Sequence, residues 1–179
     1  MNINRITVRY AKALLQAAVE QGVADKIYQD MEFAGTIVDL PDFKLFLDNP
    51  SINTSTKNKV LKEVFLNKVN PLTITFLELL TKNKREIYLK SIARNYIKIY
   101  RDYNNITSVN ISTAVEIGDT LKNKVKTVVG QILKTQVELS ETTDADIIGG
   151  FVIRIDDKQY DASIKHKLEK VKRELLQNN

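Results

Sequence analysis

The chain has 179 residues, 43% of them hydrophobic and 27% charged, a balance that excludes a disordered polypeptide and suits one ordinary domain or two small ones. It has no Cys, which excludes disulfides, Cys-ligated zinc and thiol nucleophiles, and no run approaches the roughly 20 apolar residues that span a bilayer. Its 27 basic and 22 acidic residues leave a formal net charge of +5, enough to favour an anionic partner but far from the dense basic patch of a dedicated nucleic-acid binder.

Met1 to Tyr10 is polar and basic where an export signal needs an apolar core, so a soluble chain is expected. From Asn4 to about Gly22, Ile6, Tyr10, Ala13, Leu14, Ala17 and Ala18 fall at helical spacing, and Gly22 closes the run. A second helix is predicted from about Ala24 to Leu40, with Ile27, Met31, Ala34 and Val38 on one face. Pro41-Asp42 opens a short segment carrying Phe43, Phe46 and Leu47, and Asn49-Pro50 breaks it. The Asn53 to Thr56 cluster offers cap oxygens to a helix burying Val60, Leu61, Val64 and Phe65. Asn70-Pro71 starts a fifth helix whose apolar residues, Leu72, Ile74, Phe76, Leu77, Leu79 and Leu80, cover more than one face. A long helix is expected from about Lys84 to Tyr103 along Tyr88, Ile92, Tyr96, Ile99 and Tyr103. Everything to Asn105 therefore reads as a helical bundle with short connections.

The pattern then changes. Val109, Ile111 and Thr113 alternate as in a strand; Ile117, Leu121, Val125, Val128 and Ile132 return to helical period. Val137 and Leu139 alternate again, and Ile147 to Ile155 is rich in strand formers around Gly149-Gly150, ending at Asp156-Asp157-Lys158. Asp161 can cap a last, basic helix with the stripe Ile164, Leu168, Val171 and Leu175. The second half reads as a small α/β unit.

Catalytic chemistry is not legible. His166 is the single His and sits between Lys165 and Lys167, which disfavours a metal ion. Gly149-Gly150 lacks the Lys and hydroxyl of a phosphate-binding loop and fits a bulge or close backbone approach. Asp144, Asp146, Asp156, Asp157 and Asp161 suit turns and caps better than an acid–base pair. No metal, cofactor or catalytic residue is assigned. Lys90, Arg94, Lys98 and Arg101 share a face beside Tyr88, Tyr96, Tyr100 and Tyr103, so a basic helical nucleic-acid-binding adaptor is the alternative to a solvated face. The small-residue face of the first helix and the excess apolar surface of the fifth leave two readings open, packing inside the bundle or a groove for an outside helix.

Six segments in register then carry a resemblance: RYAKAL (Arg9 to Leu14), DNPSI (Asp48 to Ile52), FLELLTKNKR (Phe76 to Arg85), VNISTAVEI (Val109 to Ile117), DIIGGFVIRI (Asp146 to Ile155) and YDASI (Tyr160 to Ile164). Together they resemble the ATP synthase delta subunits and the related oligomycin-sensitivity-conferring protein over essentially the whole chain. One position departs: Asp156 stands where the family commonly has Gly.

The resemblance implies a mainly α protein, with a six-helix bundle over residues 1–105 and a small α/β domain over 106–179. It implies a non-catalytic stator subunit, without cofactor, that resists rotor torque. In such a subunit the bundle binds the N-terminal helix of an alpha subunit in the catalytic head. Residues matching that surface are Tyr10, Ala13, Leu14 and Ala17 on the first helix and Phe76, Leu79, Leu80 and Asn83 on the fifth. The second domain binds the b subunits of the peripheral stalk, with Asp146, Gly149, Gly150, Asp161 and Ser163 shaping it. The resemblance places the protein at the cytoplasmic face of a bacterial inner membrane, or the equivalent organelle face, with membrane contact only through the complex and no nucleic acid bound.

Overall fold

The computed structural model describes residues 3–145, 147–155 and 158–177; the side chains of Ile3, Val171 and residues 174–177 are not described. The chain divides into two compact units, Met1–Tyr103 and Asn104–Asn179. It is mainly helical, with one small four-stranded sheet.

The first unit contains α1 (Ile3–Glu20), α2 (Ala24–Val38), α3 (Pro41–Asp48), α4 (Thr54–Phe65), α5 (Pro71–Lys82) and α6 (Leu89–Tyr103), with a single 3-10 turn at Glu86–Tyr88. Gly22 takes the left-handed conformation that ends α1, and the Val23 N–H reaches back to the Ala18 carbonyl. The core lies where α1 and α2 pack on α6. Ala11, Ala18 and Ala93 are buried there, small enough to admit Ile27, Met31, Ile92 and Tyr96 between the helices.

Tyr96 donates to the Ala24 carbonyl and Tyr100 to Asp25 Oδ1, at 3.2 and 2.6 Å. Burial, reinforced by Tyr100 and Asp25, pushes the Tyr96 phenol above its ordinary pKa. The buried face of α6 is thus Leu89, Ile92, Ala93, Tyr96 and Tyr100, whereas Tyr103, expected on the stripe, is exposed at the helix end.

The long helix predicted from Lys84 is broken. Lys84 adopts positive φ, the Arg85 N–H closes onto the Leu80 carbonyl, and α6 starts only after the 3-10 turn. A buried ion pair anchors that turn: Lys57 Nζ donates to Glu86 Oε1 at 2.8 Å and to the Leu47 carbonyl at 2.6 Å. Periodicity places Lys57 in a polar cap region and cannot foresee a buried cation. The predicted cap on α4 also differs, since Asn53 Oδ1 accepts from the Ser55 and Thr56 hydroxyls and not from a backbone amide.

The second unit is a β-α-β crossover followed by a hairpin and a helix. β1 (Ile106–Thr113) and β2 (Gln136–Thr143) are parallel and joined by α7 (Asp119–Leu133). β3 (Phe151–Ile155) pairs antiparallel with β1, and β4 (Lys158–Asp161) with β3, giving the order β2-β1-β3-β4; α8 (Ile164–Gln177) follows. Val109, Ile111 and Thr113 point to the covered face of β1, as their alternation predicts.

The α7 stripe departs from expectation. Val129 is the buried residue, while Leu121, Val128 and Ile132 remain exposed, Ile132 at 73%. Burial is centred about a quarter-turn from the predicted stripe, which leaves an apolar flank uncovered. The α8 stripe is likewise uncovered at Ile164 and Leu168, and the side chains of Val171 and Leu175 lie outside the described residues. The turn at Asp156-Asp157 lies outside them too.

Two outcomes follow for stability. Lys57→Met leaves Glu86 buried and unpaired, so the first unit should lose about 3 kcal/mol, read as a lower urea midpoint by tyrosine fluorescence. Pairing it with Glu86→Leu should recover most of that loss. In the second unit, Glu141 is held below the ordinary carboxylate pKa by Lys122 and by the Ile117 N–H, and Asp161 by Ser163. Their depressed folded values make stability fully present above an unfolded carboxylate pKa of about 4 and lost as pH falls through the folded values. As pH falls below about 4, amide exchange in β1 and β2 should accelerate beyond the intrinsic trend, and Glu141→Gln should flatten that dependence.

Candidate functional site

α5 is fixed at its start by side chains from two elements. Asn70 caps it, its Oδ1 accepting from the Leu72 N–H at 2.9 Å, and Pro71 occupies the first turn, where no N–H is needed. The buried Asp30 of α2 accepts from the Asn70 N–H and the Thr73 hydroxyl, both at 2.7 Å. A carboxylate at this end also meets the positive pole of the helix dipole. α1 is fixed independently: Asn95 of α6 donates to the Thr7 hydroxyl at 2.9 Å.

Held by separate partners, α1 and α5 leave an apolar groove of about 530 Å³ between them. Tyr10, Ala13, Leu14 and Ala17 line it from α1; Leu72, Thr75, Phe76, Leu79 and Asn83 line it from α5 and its cap. The Tyr10 ring meets Phe76 edge-on at 6.3 Å, and Asn83 Nδ2 donates to the Tyr10 hydroxyl at 3.3 Å. Leu14 and Phe76 form a buried floor, Leu79 stands 46% exposed on the wall, and Ala13 and Ala17 keep the α1 side low. Such a floor accepts the apolar stripe of another helix and offers no reactive group.

Most of the residues expected at this surface come together here; Leu80 does not. One step of four from Phe76 turns it inward, and at 0% exposure it belongs to the core, out of a partner's reach. Arg9, Leu72 and Thr75 line the groove although the sequence reading singled out none of them for it. Arg9 follows from its place beside Tyr10 in the motif, and Thr75 from its step to Leu79.

The second unit holds the other expected group. Gly150 has positive φ, and a Cβ there would lie 2.5 Å from the Ala162 carbonyl oxygen. The Ile164 N–H donates to the Gly149 carbonyl, and the Ala162 N–H to that of Phe151. The pair therefore serves a close backbone approach just before β3, and not a bulge inside a strand. Asp161 does not cap α8 directly: its Oδ1 accepts from the Ser163 N–H, and Ser163 Oγ accepts from the His166 N–H. Asp146 lies outside the described residues. A second apolar hollow of about 400 Å³ runs between α7 and the sheet, with Val115, Leu121, Ile148 and Phe151 exposed around it.

The basic face of α6 is no nucleic-acid platform. Tyr96 and Tyr100 are core residues hydrogen-bonded to α2, Lys90 pairs with Asp39, and Arg101 donates to the Tyr28 hydroxyl. Stacking on bases would need those rings free. Among the described residues no cluster of acidic and His side chains could hold a metal ion, and no helix is long and apolar enough to cross a membrane.

Residues 6–175 match the ATP synthase delta (OSCP) subunit family. The chain belongs to that family. The ATP synthase subunit delta of Flavobacterium psychrophilum is 36% identical over 176 residues, covering 98% of this chain and 99% of the relative. That of Carboxydothermus hydrogenoformans is 34% identical over 171 residues, covering 95% and 96%. A chain in the cryo-EM structure of the Toxoplasma gondii mitochondrial ATP synthase hexamer shares the fold, with a TM-score of 0.73 at 24% identity over 95% of this chain and 97% of that one. As a delta-family subunit the protein is a structural stator component of ATP synthase, not an enzyme, and a peripheral part of a membrane-bound complex.

The glycines supply a test. Gly150→Ala forces both a strained φ and a collision with backbone, whereas a methyl on Gly149 meets only the end of the Ile164 side chain. Gly150→Ala should destabilise the second unit by about 2 kcal/mol or more and Gly149→Ala by less, compared through amide exchange of β3.

Proposed function

We propose that the α1–α5 groove seats the N-terminal helix of an alpha subunit and so ties this stator subunit to the catalytic head. The observation that carries the proposal is an apolar groove left open between two helices that are each anchored elsewhere. Among the described residues the groove lining brings no catalytic constellation, so its use is mechanical: the head must not follow the rotor, and this joint bears the torque. A joint that outlasts many turnovers needs slow release. Nanomolar affinity corresponds to about 12 kcal/mol, within reach of one well-buried amphipathic helix.

The first unit, in this reading a six-helix bundle, is the head-binding part. The second unit holds the b subunits of the peripheral stalk, a role supported by the uncovered apolar surface of Leu121, Val128, Ile132 and Phe151. Asp161, Ser163, Gly149 and Gly150 shape that unit without touching the partner. The subunit then sits at the cytoplasmic face of a bacterial inner membrane, or the matching organelle face.

Leu79→Asp and Tyr10→Asp place a carboxylate in the groove at positions that are not fully buried. Each should weaken binding of an alpha N-terminal peptide by about thirtyfold or more and leave helix content and urea midpoint near wild type. Wild-type affinity in either protein would remove the groove assignment.

A further inference from the structure

Among the described residues α8 is the one helix with no buried side chain: each from Ile164 to Lys170 is exposed, as are Lys172 and Arg173. Its start is nonetheless fixed. The Ile164 N–H donates to the Gly149 carbonyl, and Ser163 Oγ accepts from the His166 N–H. A helix of 14 residues is marginal in water without packing. Its apolar residues are spaced for a narrow seam: Ile164, Leu168, Val171 and Leu175 follow at steps of four, three and four, and Leu176 alone falls off that line. A core-facing helix such as α1 buries a wider set, Ile6, Ala11, Leu14, Leu15 and Ala18. The positions bordering the line on α8 are mostly basic. Lys165 and Lys172 fall on one side of it and Lys167 on the other, with Glu174 the single acid at such a position.

We infer that α8 pairs along this seam with one helix of a partner protein, whose own heptad line of apolar residues is bordered by carboxylates that meet Lys165, Lys167 and Lys172. The inference rests on the stalk reading above and deepens it: α8 joins the surface of α7 and β3 as a contact for the b subunits, and its occupant acquires a stated chemistry. A second copy of the chain fits poorly. Parallel pairing sets Lys167 against Lys172 of the other copy, antiparallel pairing sets Lys165 against Lys172, and like charges across a seam select against a partner. Two heptads are too short to hold a helix alone. The seam therefore chooses and orients a helix that the rest of the unit also binds, and its cations speed the approach.

The test uses the full-length chain and a soluble fragment of the stalk's b subunit, with a second fragment in which every Asp and Glu is replaced by Asn and Gln. Binding is followed by fluorescence anisotropy at about 20 mM and about 500 mM salt. A Lys165→Glu, Lys167→Glu, Lys172→Glu variant reverses the borders of the seam, and Leu168→Asp spoils the seam itself. All four positions are exposed, so amide exchange in β1 should keep its wild-type rate. At low salt the charge-reversed variant should bind the native fragment about tenfold more weakly than wild type does, and the amide fragment about equally. Leu168→Asp should weaken both fragments by about tenfold. High salt should close the charge-dependent gap.

Unchanged affinity of the charge-reversed variant for the native fragment at low salt overturns the inference, and so does unchanged affinity of Leu168→Asp. If Ile132→Asp then still abolishes binding, the stalk reading survives without α8; failure of wild type to bind the native fragment removes the stalk reading and the inference with it. A wild-type dimer that Leu168→Asp dissolves would assign the seam to a second copy. Loss of binding to phosphatidylglycerol vesicles in the charge-reversed variant, with fragment affinity unchanged, would assign it to a lipid surface. Either result also overturns the inference.

Discussion

One buried carboxylate sets where the second wall of the groove stands. Asp30 reaches from α2 to the first turn of α5 and takes hydrogen bonds from the Asn70 amide and the Thr73 hydroxyl. α5 is held from its amino end by Asp30 and α1 by Asn95 of α6, and the two walls meet where Tyr10 touches Phe76 and Asn83. A polar contact inside the unit thus preserves an apolar surface outside it. The arrangement tolerates the exposed leucine because α5 turns another face, with Leu77 and Leu80, into the core.

The two units are built to different tightness. The first buries large side chains completely, among them Tyr96, Phe65, Ile27 and Met31, and adds an interior ion pair at Lys57 and Glu86. The second is a four-stranded sheet with helices that leave much of their apolar surface in water, at Ile132, Ile164 and Leu168, as does Ile148 in the loop before β3. A small unit gains less from its own core. Surface left open on α7 and beside Gly149 is surface that a partner could cover to mutual gain; the first unit, besides its groove, leaves Leu40, Leu45 and Leu66 exposed.

Much of this was legible beforehand, and the failures share a cause. Period and caps located α1, α2, α4 and α5 because one face of each meets the core and Gly, Pro or Asn mark the ends. Motif resemblance brought Tyr10, Ala13, Phe76 and Leu79 to one surface, a juxtaposition that periodicity left undecided. Tertiary detail escaped wherever a residue acts against its type. Lys57 is charged yet buried, Lys84 takes a left-handed turn usual for Gly, and Leu80 points inward although its neighbour Leu79 points out. On α7 the sequence offered more apolar residues than one face can hold, and only contact with the sheet chose Val129 over Val128. Ser163 took the capping role from Asp161 because the chain turns once more before α8 begins.

The low α1 side of the groove has a consequence for how such a surface can change over generations. At Ala13 and Ala17 what matters is bulk more than chemical character. Enlargement at either place fills the groove, and reduction is possible only to Gly, which weakens a helix interior. Under the docking proposed above, drift at these positions is bounded from both directions, and a larger residue becomes tolerable only when the visitor shrinks in step. Under that docking the two proteins inherit their fit as a matched pair, with this chain's share of the record written at Ala13 and Ala17.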